Sequence, residues 1–316
     1  MNEKKILLIG GAGFIGYHLA KKLSEKYSVE IFDNFSRGTN DNSIKKLRNI
    51  EIKKLDLNKI KKFKLKIYSH IFYLAAIVGV KNVIKDPFYT FQNNIMPFLN
   101  VVNSIRKYKK TKLIFFSTSE VYSPSIFSRK IKFPLKENNP IILKENLDAR
   151  DSYYVSKIFG EKICQLNDIN YICLRPHNVY GPRMGYSHVI PEIIRKFQKK
   201  KSVGVYSPNH MRAFCFIDDA VNQIIKLSLK NKNQYSIYNI GNMSQEIKMI
   251  DLAKTVKKIL KSKKSIKKEK NTEGSPYRRV PDMKRTLKEI KYKNSYNLEN
   301  GIKKTIEWYL KHESFD

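Results

Sequence analysis

Near its amino end the chain reads Lys5-Ile6-Leu7-Leu8-Ile9-Gly10-Gly11-Ala12-Gly13-Phe14-Ile15-Gly16. A short apolar run leads into Gly10, Gly13 and Gly16, and helix-forming residues with apolar side chains at near-helical spacing follow. This pattern predicts a strand, a tight turn and a helix. In such a turn the first glycine adopts a conformation that a Cβ disfavours, the second lets a pyrophosphate approach the backbone, and the third lets the helix pack closely on the strand. The start of the helix also attracts anions, because its N–H groups are unpaired and its dipole is positive there.

A second predicted strand follows the helix and leads to Asp33. An acidic side chain about 20 residues after the glycine turn binds the ribose 2′-hydroxyl of NAD and repels the 2′-phosphate of NADP. In this context the glycines favour a dinucleotide site over a purely structural turn, and Asp33 favours NAD as the cofactor. Arg37 lies close by in the sequence and leaves NADP as the alternative.

The composition is strongly basic, because 62 Lys and Arg residues against 28 Asp and Glu residues give a formal charge of +34. Such a charge often accompanies binding to nucleic acid or to an anionic membrane. Here the lysines are spread along the whole chain among many Asn and Ile residues, which is typical of a general compositional bias rather than of a patch. We therefore predict neither nucleic acid nor a membrane as a partner.

With 316 residues the chain suits one large domain or two unequal ones. No run approaches the roughly 18 apolar residues of a membrane span, and no signal-peptide pattern precedes the first strand. We therefore expect a cytoplasmic location. Cys164, Cys173 and Cys215 are an odd number without close pairing, so neither a disulfide framework nor a metal site is predicted.

Strand-like and helical segments alternate through the first half of the chain. Predicted strands end at Asp56-Leu57, at Leu74-Ala75-Ala76 and at Phe116, and a long helical pattern starts at Asp86-Pro87. Nearly continuous apolar runs are expected for strands that are buried on both faces of a parallel sheet. The alternation predicts an α/β fold with a Rossmann-type doubly wound parallel sheet, right-handed crossovers and a smaller C-terminal α/β substrate domain.

Polar residues, Ser117-Thr118-Ser119-Glu120, follow the fifth predicted strand. Ligands of open α/β sheets bind at the carboxyl ends of the strands. A helix that starts near residue 150 then carries Tyr153 and Lys157, which are four residues apart and share a helix face. An ammonium beside a phenol lowers the pKa of the phenol from about 10 toward neutrality, and so provides a base for a hydroxyl proton. A Tyr–Lys pair on the surface is the alternative interpretation.

These motifs together resemble those of the extended short-chain dehydrogenase/reductases that act on nucleotide sugars, the NAD-dependent epimerase/dehydratase group. The resemblance covers nearly the full length, and the motifs occur in order. They are Gly10-Gly11-Ala12-Gly13-Phe14-Ile15-Gly16, the Thr118 segment, Tyr153-Tyr154-Val155-Ser156-Lys157, Arg175-Pro176-His177-Asn178-Val179-Tyr180-Gly181-Pro182-Arg183, Arg212-Ala213-Phe214-Cys215-Phe216-Ile217-Asp218-Asp219, Tyr238-Asn239-Ile240-Gly241-Asn242, Arg278-Arg279-Val280-Pro281-Asp282 and Glu307-Trp308-Tyr309. The resemblance implies an NAD-binding Rossmann domain at residues 1–177 and a mainly nucleotide-sugar-binding domain at 178–316. Some elements, for example at about 212–240, are expected to return to the Rossmann sheet.

By this resemblance Thr118, Tyr153 and Lys157 form a catalytic trio. Tyr153 is expected to take the proton of the sugar C4 hydroxyl while a hydride leaves C4 for the nicotinamide. Thr118 is expected to bind the same oxygen, and Lys157 to hold the nicotinamide ribose and to tune Tyr153. The resemblance and the glycine turn together assign cofactor contacts to Gly10, Gly13, Phe14, Ile15, Gly16, Asp33, Asn34, Asp56, Leu57, Leu74, Ala75, Ala76, Asn93 or its neighbour Asn94, Ser117, Tyr153, Lys157 and His177. For His177, a packed polar residue in a loop is the alternative.

The resemblance implies a nucleotide-diphosphate sugar as the substrate. It places the diphosphate against Asn178, Arg212 and Arg279, and it places His188 and Val189 near the base. Arginine offers phosphate oxygens a planar fork that lysine cannot reproduce. For any one of these arginines a surface ion pair is the alternative.

Oxidation at C4 allows three reactions: epimerisation, loss of carbon dioxide from a uronate, or loss of water across C5 and C6. Glu120 and its neighbour Ser119, which is expected to contact the substrate, discriminate between them. Family dehydratases usually carry Asp where this chain has Ser119, and serine is a poor general acid. The Thr-Ser-Glu segment resembles the uronate decarboxylases instead, in which Glu120 and Arg279 are expected to lie near the carboxylate. Many of the family's 4-epimerases lack a Glu at the position of Glu120.

We therefore predict an NAD-dependent nucleotide-sugar epimerase acting at C4, ahead of a UDP-uronate decarboxylase and a 4,6-dehydratase. A non-enzymatic NAD-sensing or RNA-binding module is the alternative of another class, but such a module needs none of the catalytic trio. By analogy, the setting is the synthesis of polysaccharide precursors.

Two further expectations concern the loop after the catalytic segment and the assembly. The stretch Ser123 to Asp148 has no clear period and is predicted to be a loop over the active site. Ser123 stands where the family usually has Gly, which leaves the path of this loop open. The resemblance also implies a homodimer that pairs helices near 87–107 and 152–166.

Overall fold

The computed structural model describes residues 5–60, 65 and 68–312. Its strands are β1 (Lys5–Ile9), β2 (Ser28–Asp33), β3 (Ile50–Lys54), β4 (Tyr68–Tyr73), β5 (Lys112–Phe116), β6 (Asn170–Pro176), β7 (Val179–Tyr180), β8 (Ser202–Val205), β9 (Met211–Ala213), β10 (Cys215–Phe216), β11 (Ile237–Ile240), β12 (Glu246–Lys248), β13 (Ser265–Lys268) and β14 (Arg278–Arg279). Its α-helices are α1 (Phe14–Leu23), α2 (Asn42–Lys45), α3 (Val80–Lys85), α4 (Pro87–Ile105), α5 (Ser123–Phe127), α6 (Asp151–Gln165), α7 (Val189–Lys199), α8 (Ile217–Ser228), α9 (Met249–Ile259), α10 (Lys284–Ile290) and α11 (Leu298–Lys311). Two short 3-10 helices span Leu57–Lys59 and Ser119–Tyr122.

The central feature is a seven-stranded sheet in the order β11-β6-β5-β4-β1-β2-β3. The pairs from β3 across to β6 are parallel. The chain winds outward from β1 to β3, returns to β4 beside β1, and then winds outward in the other direction. This reversal confirms the predicted Rossmann-type doubly wound sheet, and it lies between β1 and β4, where such sheets bind their ligands.

Aromatic side chains fill the core beneath the middle of the sheet. Phe98 of α4 packs against Tyr73 of β4, with ring centroids 4.8 Å apart, and against Phe115 of β5, with centroids 4.5 Å apart. All three side chains are buried. Each burial removes a large apolar surface from water, and helices cover the sheet as parallel sheets require.

The chain forms two compact units. Among the described residues, the first unit comprises those in the ranges 5–121, 143–175 and 221–238, and the second comprises those in 122–142, 176–220 and 239–312. The predicted single boundary at 177/178 is simpler than this division, although β11 does join the Rossmann sheet within the range expected to return. That functional boundary stays a prediction.

Small sheets characterise the second unit. They have the orders β12-β9-β14, β13-β8 and β10-β7. Segment 122–142 belongs here because its backbone pairs with the chain after β14: Leu135 N donates to Val280 O over 2.8 Å, and Asp282 N donates to Leu135 O over 2.8 Å. These bonds tie the loop that was predicted to cover the active site to Arg279 and its neighbours.

The segment predicted to be a loop from Ser123 to Asp148 contains helix α5, so that prediction was wrong for its first five residues. Pro124 stands in the first turn of α5, where the missing N–H of proline costs nothing and its fixed φ suits a helix. Of the helices in the described part of the chain, none combines the length and apolar character that crossing a bilayer requires.

Candidate active site

The glycine turn closes tightly on the end of β4. Ile9 O accepts hydrogen bonds from Leu74 N over 2.8 Å and from Ala75 N over 3.1 Å. Gly10 has φ +76°, and a Cβ at this position would lie 2.7 Å from Ala75 N. Both the backbone conformation and the close approach therefore require glycine here. The predicted cofactor residues Leu74, Ala75 and Gly10 are thus brought together at one edge of the sheet.

Gly16 and Gly13 serve different purposes. A Cβ on Gly16 would lie 2.6 Å from Gly11 Cα, so Gly16 lets α1 pack against the turn. A Cβ on Gly13 would meet no atom closer than Gly10 O at 3.5 Å, so packing does not demand glycine at this position. Gly13 is the N-cap of α1 and has no side chain to satisfy the first N–H groups of the helix. The open space and the helix start fit the pyrophosphate of a dinucleotide.

Asp33 fixes the loop that borders this turn. Its Oδ2 accepts from Ala12 N over 2.9 Å, and its Oδ1 accepts from Phe35 N over 2.8 Å. Burial raises the pKa of Asp33, and the two N–H donors oppose that rise. A carboxylate oxygen can accept more than one hydrogen bond, so Asp33 can still receive ribose hydroxyls. Arg37 is exposed and interacts electrostatically with Tyr153.

Three other predicted cofactor residues lie close to Asp33. Asn34 follows it in the chain, and Asp56 and Leu57 come shortly after β3, the strand that pairs with β2. Asp56 caps the first 3-10 helix by accepting from Asn58 N over 3.0 Å, and Leu57 is buried. Leu55 N donates to Asp33 O over 2.9 Å, which places this turn beside the end of β2. Asn34 is exposed and accepts from Ser36 N over 3.0 Å.

The residues after β5 form the second half of the site. Ser117 N donates to Leu174 O over 2.8 Å, and Thr118 Oγ1 accepts from Glu120 N over 3.2 Å. Ser117, Thr118 and Ser119 are buried, whereas Glu120 is partly exposed. Ser117 Oγ has no hydrogen-bond partner among the described residues. A buried hydroxyl without a partner costs free energy, so a ligand that bonds to it gains affinity.

Helix α6 carries Tyr153 and Lys157 against the end of β5. A Cβ on Gly160 would come within 2.2 Å of the Phe115 ring, so this glycine lets α6 pack close to the strand. Lys157 is 3% exposed, and its Nζ donates to Phe116 O over 2.8 Å. Burial lowers the pKa of Lys157 from 10.5 to about 7. The ammonium therefore lies directly before the Ser117-Thr118 segment, while Tyr153 lies one turn earlier on the helix.

A buried asparagine anchors α6 to the loop after β4. Asn94 Oδ1 accepts from Ile77 N over 2.7 Å, and Asn94 Nδ2 donates to Ser156 Oγ over 3.1 Å. Ser156 Oγ in turn donates to Tyr153 O over 2.6 Å. Asn93 instead donates to Tyr89 O, one turn back on its own helix. Of the two candidates, Asn94 makes the link to the catalytic helix, and the predicted cofactor contact of Asn93 stays a prediction.

In the second unit, the predicted phosphate-binding arginines are neighbours. Arg279 of β14 is the register partner of Arg212 of β9 in a parallel pair, so the two side chains leave the same face of the small sheet. Arg212 donates to Met211 O, Ser275 Oγ and Pro276 O, whereas Arg279 donates to Ser123 Oγ over 3.1 Å. These neutral oxygens orient the guanidinium groups. Side-by-side like charges are unfavourable, and an anion between them relieves the repulsion.

The other predicted substrate residues occupy loops of the second unit. Asn178 has φ +40°, which asparagine tolerates better than most residues, and its Nδ2 donates to Ala213 O over 3.0 Å. His188 is the N-cap of α7 and Val189 is the first residue of that helix. Their contacts with a base stay predictions.

His177 is wholly buried in a hydrogen-bonded cluster. Asn239 Oδ1 lies 3.1 Å from His177 Nε2 and accepts from the Tyr122 hydroxyl over 2.9 Å. Asn239 Nδ2 donates to Leu135 O and Asp282 O. This geometry supports the alternative of a packed polar residue, and the predicted contact of His177 with the cofactor stays a prediction. Sequence reasoning assigned no role to Asn239, although it stands in one of the motifs.

Comparisons with known proteins found a matching family profile and relatives along the whole chain. A profile of the NAD dependent epimerase/dehydratase family matches residues 6–241. The chain is 30% identical over 315 residues to the "Putative UDP-glucose 4-epimerase" of Methanocaldococcus jannaschii, which covers 96% of this chain and 97% of that protein. It is also 30% identical over 329 residues to the UDP-N-acetyl-alpha-D-glucosaminuronate decarboxylase of Bacillus cytotoxicus, which covers 99% of each.

A similar solved structure is that of the UDP-N-acetylglucosamine 4-epimerase of Methanobrevibacter ruminantium M1 in complex with UDP-N-acetylmuramic acid. The TM-score is 0.84 and the identity 25%, over 99% of this chain and 100% of that chain. The agreement in fold thus extends through both compact units.

We expect Gly13→Ala to separate cofactor binding from folding. A methyl group at position 13 fills the space expected for the pyrophosphate, so the affinity for NAD falls at least about tenfold, whereas the urea midpoint hardly changes. Gly10→Ala is the contrasting variant, because its positive φ and the contact with Ala75 cost roughly 1–3 kcal/mol of folding free energy. Equal losses of stability in both variants would contradict the assignment of Gly13 to the ligand.

We expect the buried ammonium of Lys157 to make stability depend on pH. Between its folded pKa of about 7 and its ordinary value of 10.5, the unfolded chain keeps a proton that the folded chain has lost. The free energy of unfolding of the wild type relative to Lys157→Met therefore rises with pH across this window, by at most about 1.4 kcal/mol per pH unit. Urea unfolding of the two NAD-free proteins at pH 7, 8 and 9 measures this difference in the free energy of unfolding. A difference that stays constant with pH would mean that Lys157 is not desolvated.

Proposed function

This chain belongs to the NAD-dependent epimerase/dehydratase family, and we propose that it is the C4 epimerase of a UDP-sugar. It is an NAD-dependent enzyme of nucleotide-sugar metabolism by its family and relatives. The proposal depends chiefly on the hydrogen bond from Lys157 Nζ to Phe116 O. This bond holds an ammonium next to the Ser117-Thr118 segment and one helical turn from Tyr153, where its charge can stabilise the phenolate of Tyr153. A structural lysine would gain nothing from complete burial without a carboxylate.

The proposed mechanism begins with a proton. Tyr153 takes the proton of the C4 hydroxyl, and Thr118 hydrogen-bonds the same oxygen as it becomes a carbonyl. The charge of Lys157 favours the phenolate form of Tyr153, because an ammonium stabilises a nearby anion. NAD, when bound by the glycine turn, would supply an acceptor and later a donor for the C4 hydride. After the sugar turns over and presents the other face of C4, Tyr153 returns its proton to the C4 oxygen. Tyr153 is thereby regenerated as a base.

Arg212 and Arg279 are the proposed anchors of the diphosphate. Each guanidinium is a planar fork of N–H donors, which matches the oxygens of a phosphate group. A UDP-sugar is proposed because the names of the relatives give UDP-sugars as their substrates, and one similar structure contains UDP-N-acetylmuramic acid. Anchoring at the diphosphate leaves the sugar free to turn after oxidation.

A UDP-uronate decarboxylase is the second candidate. The segment Thr118-Ser119-Glu120 and the relative from Bacillus cytotoxicus favour it. A 4-keto uronate is a β-keto acid, which loses carbon dioxide without a further cofactor. Both candidates share the first step, so only the product distinguishes them.

Exposed apolar side chains support the proposed homodimer. In α4, Phe88 is 73% exposed and Met96 50% exposed; in α6, Phe159 is 47% exposed, and Leu166 directly after that helix is 85% exposed. These two helices pack on each other in the first compact unit, and a second copy could cover the apolar residues they leave exposed. The proposed setting is the synthesis of polysaccharide precursors in the cytoplasm.

We expect Tyr153→Phe to lower kcat by at least about a hundredfold, because the base for the C4 proton is lost. NAD should remain bound, and Tyr154→Phe, the neighbouring buried tyrosine, serves as the control with turnover retained. The assay incubates purified protein with UDP-glucose, UDP-N-acetylglucosamine and UDP-glucuronate and follows the product by mass and NMR. An epimer supports the proposal, a product lighter by carbon dioxide supports the second candidate, and full activity of Tyr153→Phe would refute both.

We expect the wild type to sediment as a dimer at micromolar concentration, and Phe88→Glu to sediment as a monomer. A charge at this exposed position of α4 disrupts an apolar interface, yet it suits the first turn of a helix and so spares the fold. Leu310→Glu is the matched control, because Leu310 is also half exposed but lies in α11. A wild-type monomer would refute the proposed assembly.

A further inference from the structure

A pocket with a volume of about 470 Å³ opens in the second compact unit. Its lining comes from the last turn of α5, from the segment that follows this helix, and from the start of β14. Of the described residues that line it, none belongs to the proposed catalytic, cofactor or substrate sets. The volume lies within the roughly 300–1,000 Å³ that is typical of small-molecule sites.

Apolar and aromatic side chains form one part of this pocket. Ile126 and Ile131 are buried and contribute apolar surface. The rings of Phe133 and Tyr277 stand edge to face, with centroids 5.9 Å apart and an interplanar angle of 80°. Tyr277 is nevertheless 60% exposed, so much of its ring is open to the pocket and to solvent. An open aromatic face is a surface on which another planar group can stack.

Arg278 gives the pocket an ordered wall. Its Nε and Nη2 donate to the two carboxylate oxygens of Glu246 over 2.7 and 2.8 Å. Its guanidinium carbon lies 5.0 Å from the centroid of the Phe133 ring. The bidentate pair fixes the guanidinium plane and balances its charge with a carboxylate. Arg278 therefore orders the aromatic wall, and its charge is not what would draw an anion to the pocket.

The position of Arg278 also separates this pocket from the proposed diphosphate anchors. Arg278 and Arg279 are successive residues of β14, and successive side chains of a strand leave opposite faces of the sheet. Arg279 shares its face with its register partner Arg212. The wall that Arg278 forms thus lies on the other face of the small sheet.

Two further cations, Arg129 and Lys132, line the pocket, and both are exposed. Within the described part of the chain, neither side chain forms a salt bridge or a hydrogen bond. A cation without a carboxylate partner is available to an anionic ligand, and arginine in particular matches the oxygens of a phosphate group. The pocket therefore combines an aromatic surface with two available positive charges.

We propose that this pocket is an accessory nucleotide site, in which the base of a nucleoside monophosphate stacks on Tyr277 and the phosphate binds Arg129 and Lys132. A nucleotide joins a flat aromatic group to a phosphate, so it uses both parts of the pocket at once. An apolar molecule would use only the aromatic surface, and an inorganic anion only the cations. The site is independent of the proposed epimerase reaction, because no residue of that mechanism takes part in it.

The test titrates GMP into the NAD-loaded full-length protein and measures binding by calorimetry. GMP is the probe because NAD already fills the site for an adenine nucleotide. We expect GMP to bind, and inorganic phosphate to bind at least about tenfold more weakly, since it lacks a base to stack. Guanosine is also expected to bind more weakly than GMP, because it lacks the charge that the two cations attract.

Three variants divide the affinity between base and phosphate. Tyr277→Ala is expected to weaken GMP binding roughly tenfold and to leave the binding of inorganic phosphate unchanged. The double variant Arg129→Gln/Lys132→Gln is expected to weaken both GMP and phosphate, and to leave guanosine binding unchanged. Lys130→Gln is the matched control, because Lys130 is an exposed lysine in the same segment but does not line the pocket. All four side chains are exposed, so the melting temperature should hardly change.

Several results would overturn the accessory site. No binding of GMP to the wild type, or equal affinities for GMP and inorganic phosphate, would remove the stacked base. GMP binding that survives both Tyr277→Ala and Arg129→Gln/Lys132→Gln would place the nucleotide elsewhere on the protein. A loss in Lys130→Gln as large as that in the double variant would assign the effect to general surface charge rather than to this pocket.

Discussion

The close approach of two strand ends governs the first compact unit. At the end of β1, the carbonyl oxygen of Ile9 accepts hydrogen bonds from two successive N–H groups at the end of β4. Gly10 then turns away with a positive φ, and a Cβ at this position would collide with Ala75. This contact lies where the direction of winding reverses, and it brings the start of α1 to the edge of the sheet. The site depends on it, since a side chain at Gly10 would part β1 from β4 at the place where the dinucleotide fits.

Buried cations with a structural role and those in the proposed site differ in the groups to which they donate hydrogen bonds. Arg175 and Glu161 form a fully buried pair with a contact of 2.7 Å, so the cation that joins α6 to β6 is neutralised by a carboxylate. Lys157 is also buried, but it donates to the carbonyl oxygen of Phe116. Such oxygens orient a cation and leave its charge available to a ligand. Desolvation without a carboxylate is costly, and proteins concentrate that cost at functional sites.

The sequence predicted what depends on local pattern and little of what depends on long-range register. The glycine turn and the apolar strands predicted the doubly wound sheet, because each of these patterns lies within about a dozen residues of sequence. The pairing of Arg212 with Arg279 joins positions 67 residues apart through β9 and β14, and no local pattern carries that register. Gly160 did leave a signal, since an isolated glycine inside a helical pattern suggests close packing, here against Phe115. His177 contacts Asn239, which is 62 residues away in the sequence, and the motif around His177 gives no sign of this contact.

The arginine pair also bears on the choice between the two reactions. In a decarboxylase Arg279 is expected near the carboxylate, but a guanidinium that holds the carboxylate firmly stabilises the ground state and slows loss of carbon dioxide. Arg279 instead lies beside Arg212 and bonds to Ser123, an arrangement in which two adjacent cations suit one doubly charged ligand. If both arginines bind the diphosphate, no fork of this pair remains for a carboxylate at C6. The proposed roles of the two arginines thus fit the proposed epimerisation at C4, which requires no contact with a carboxylate.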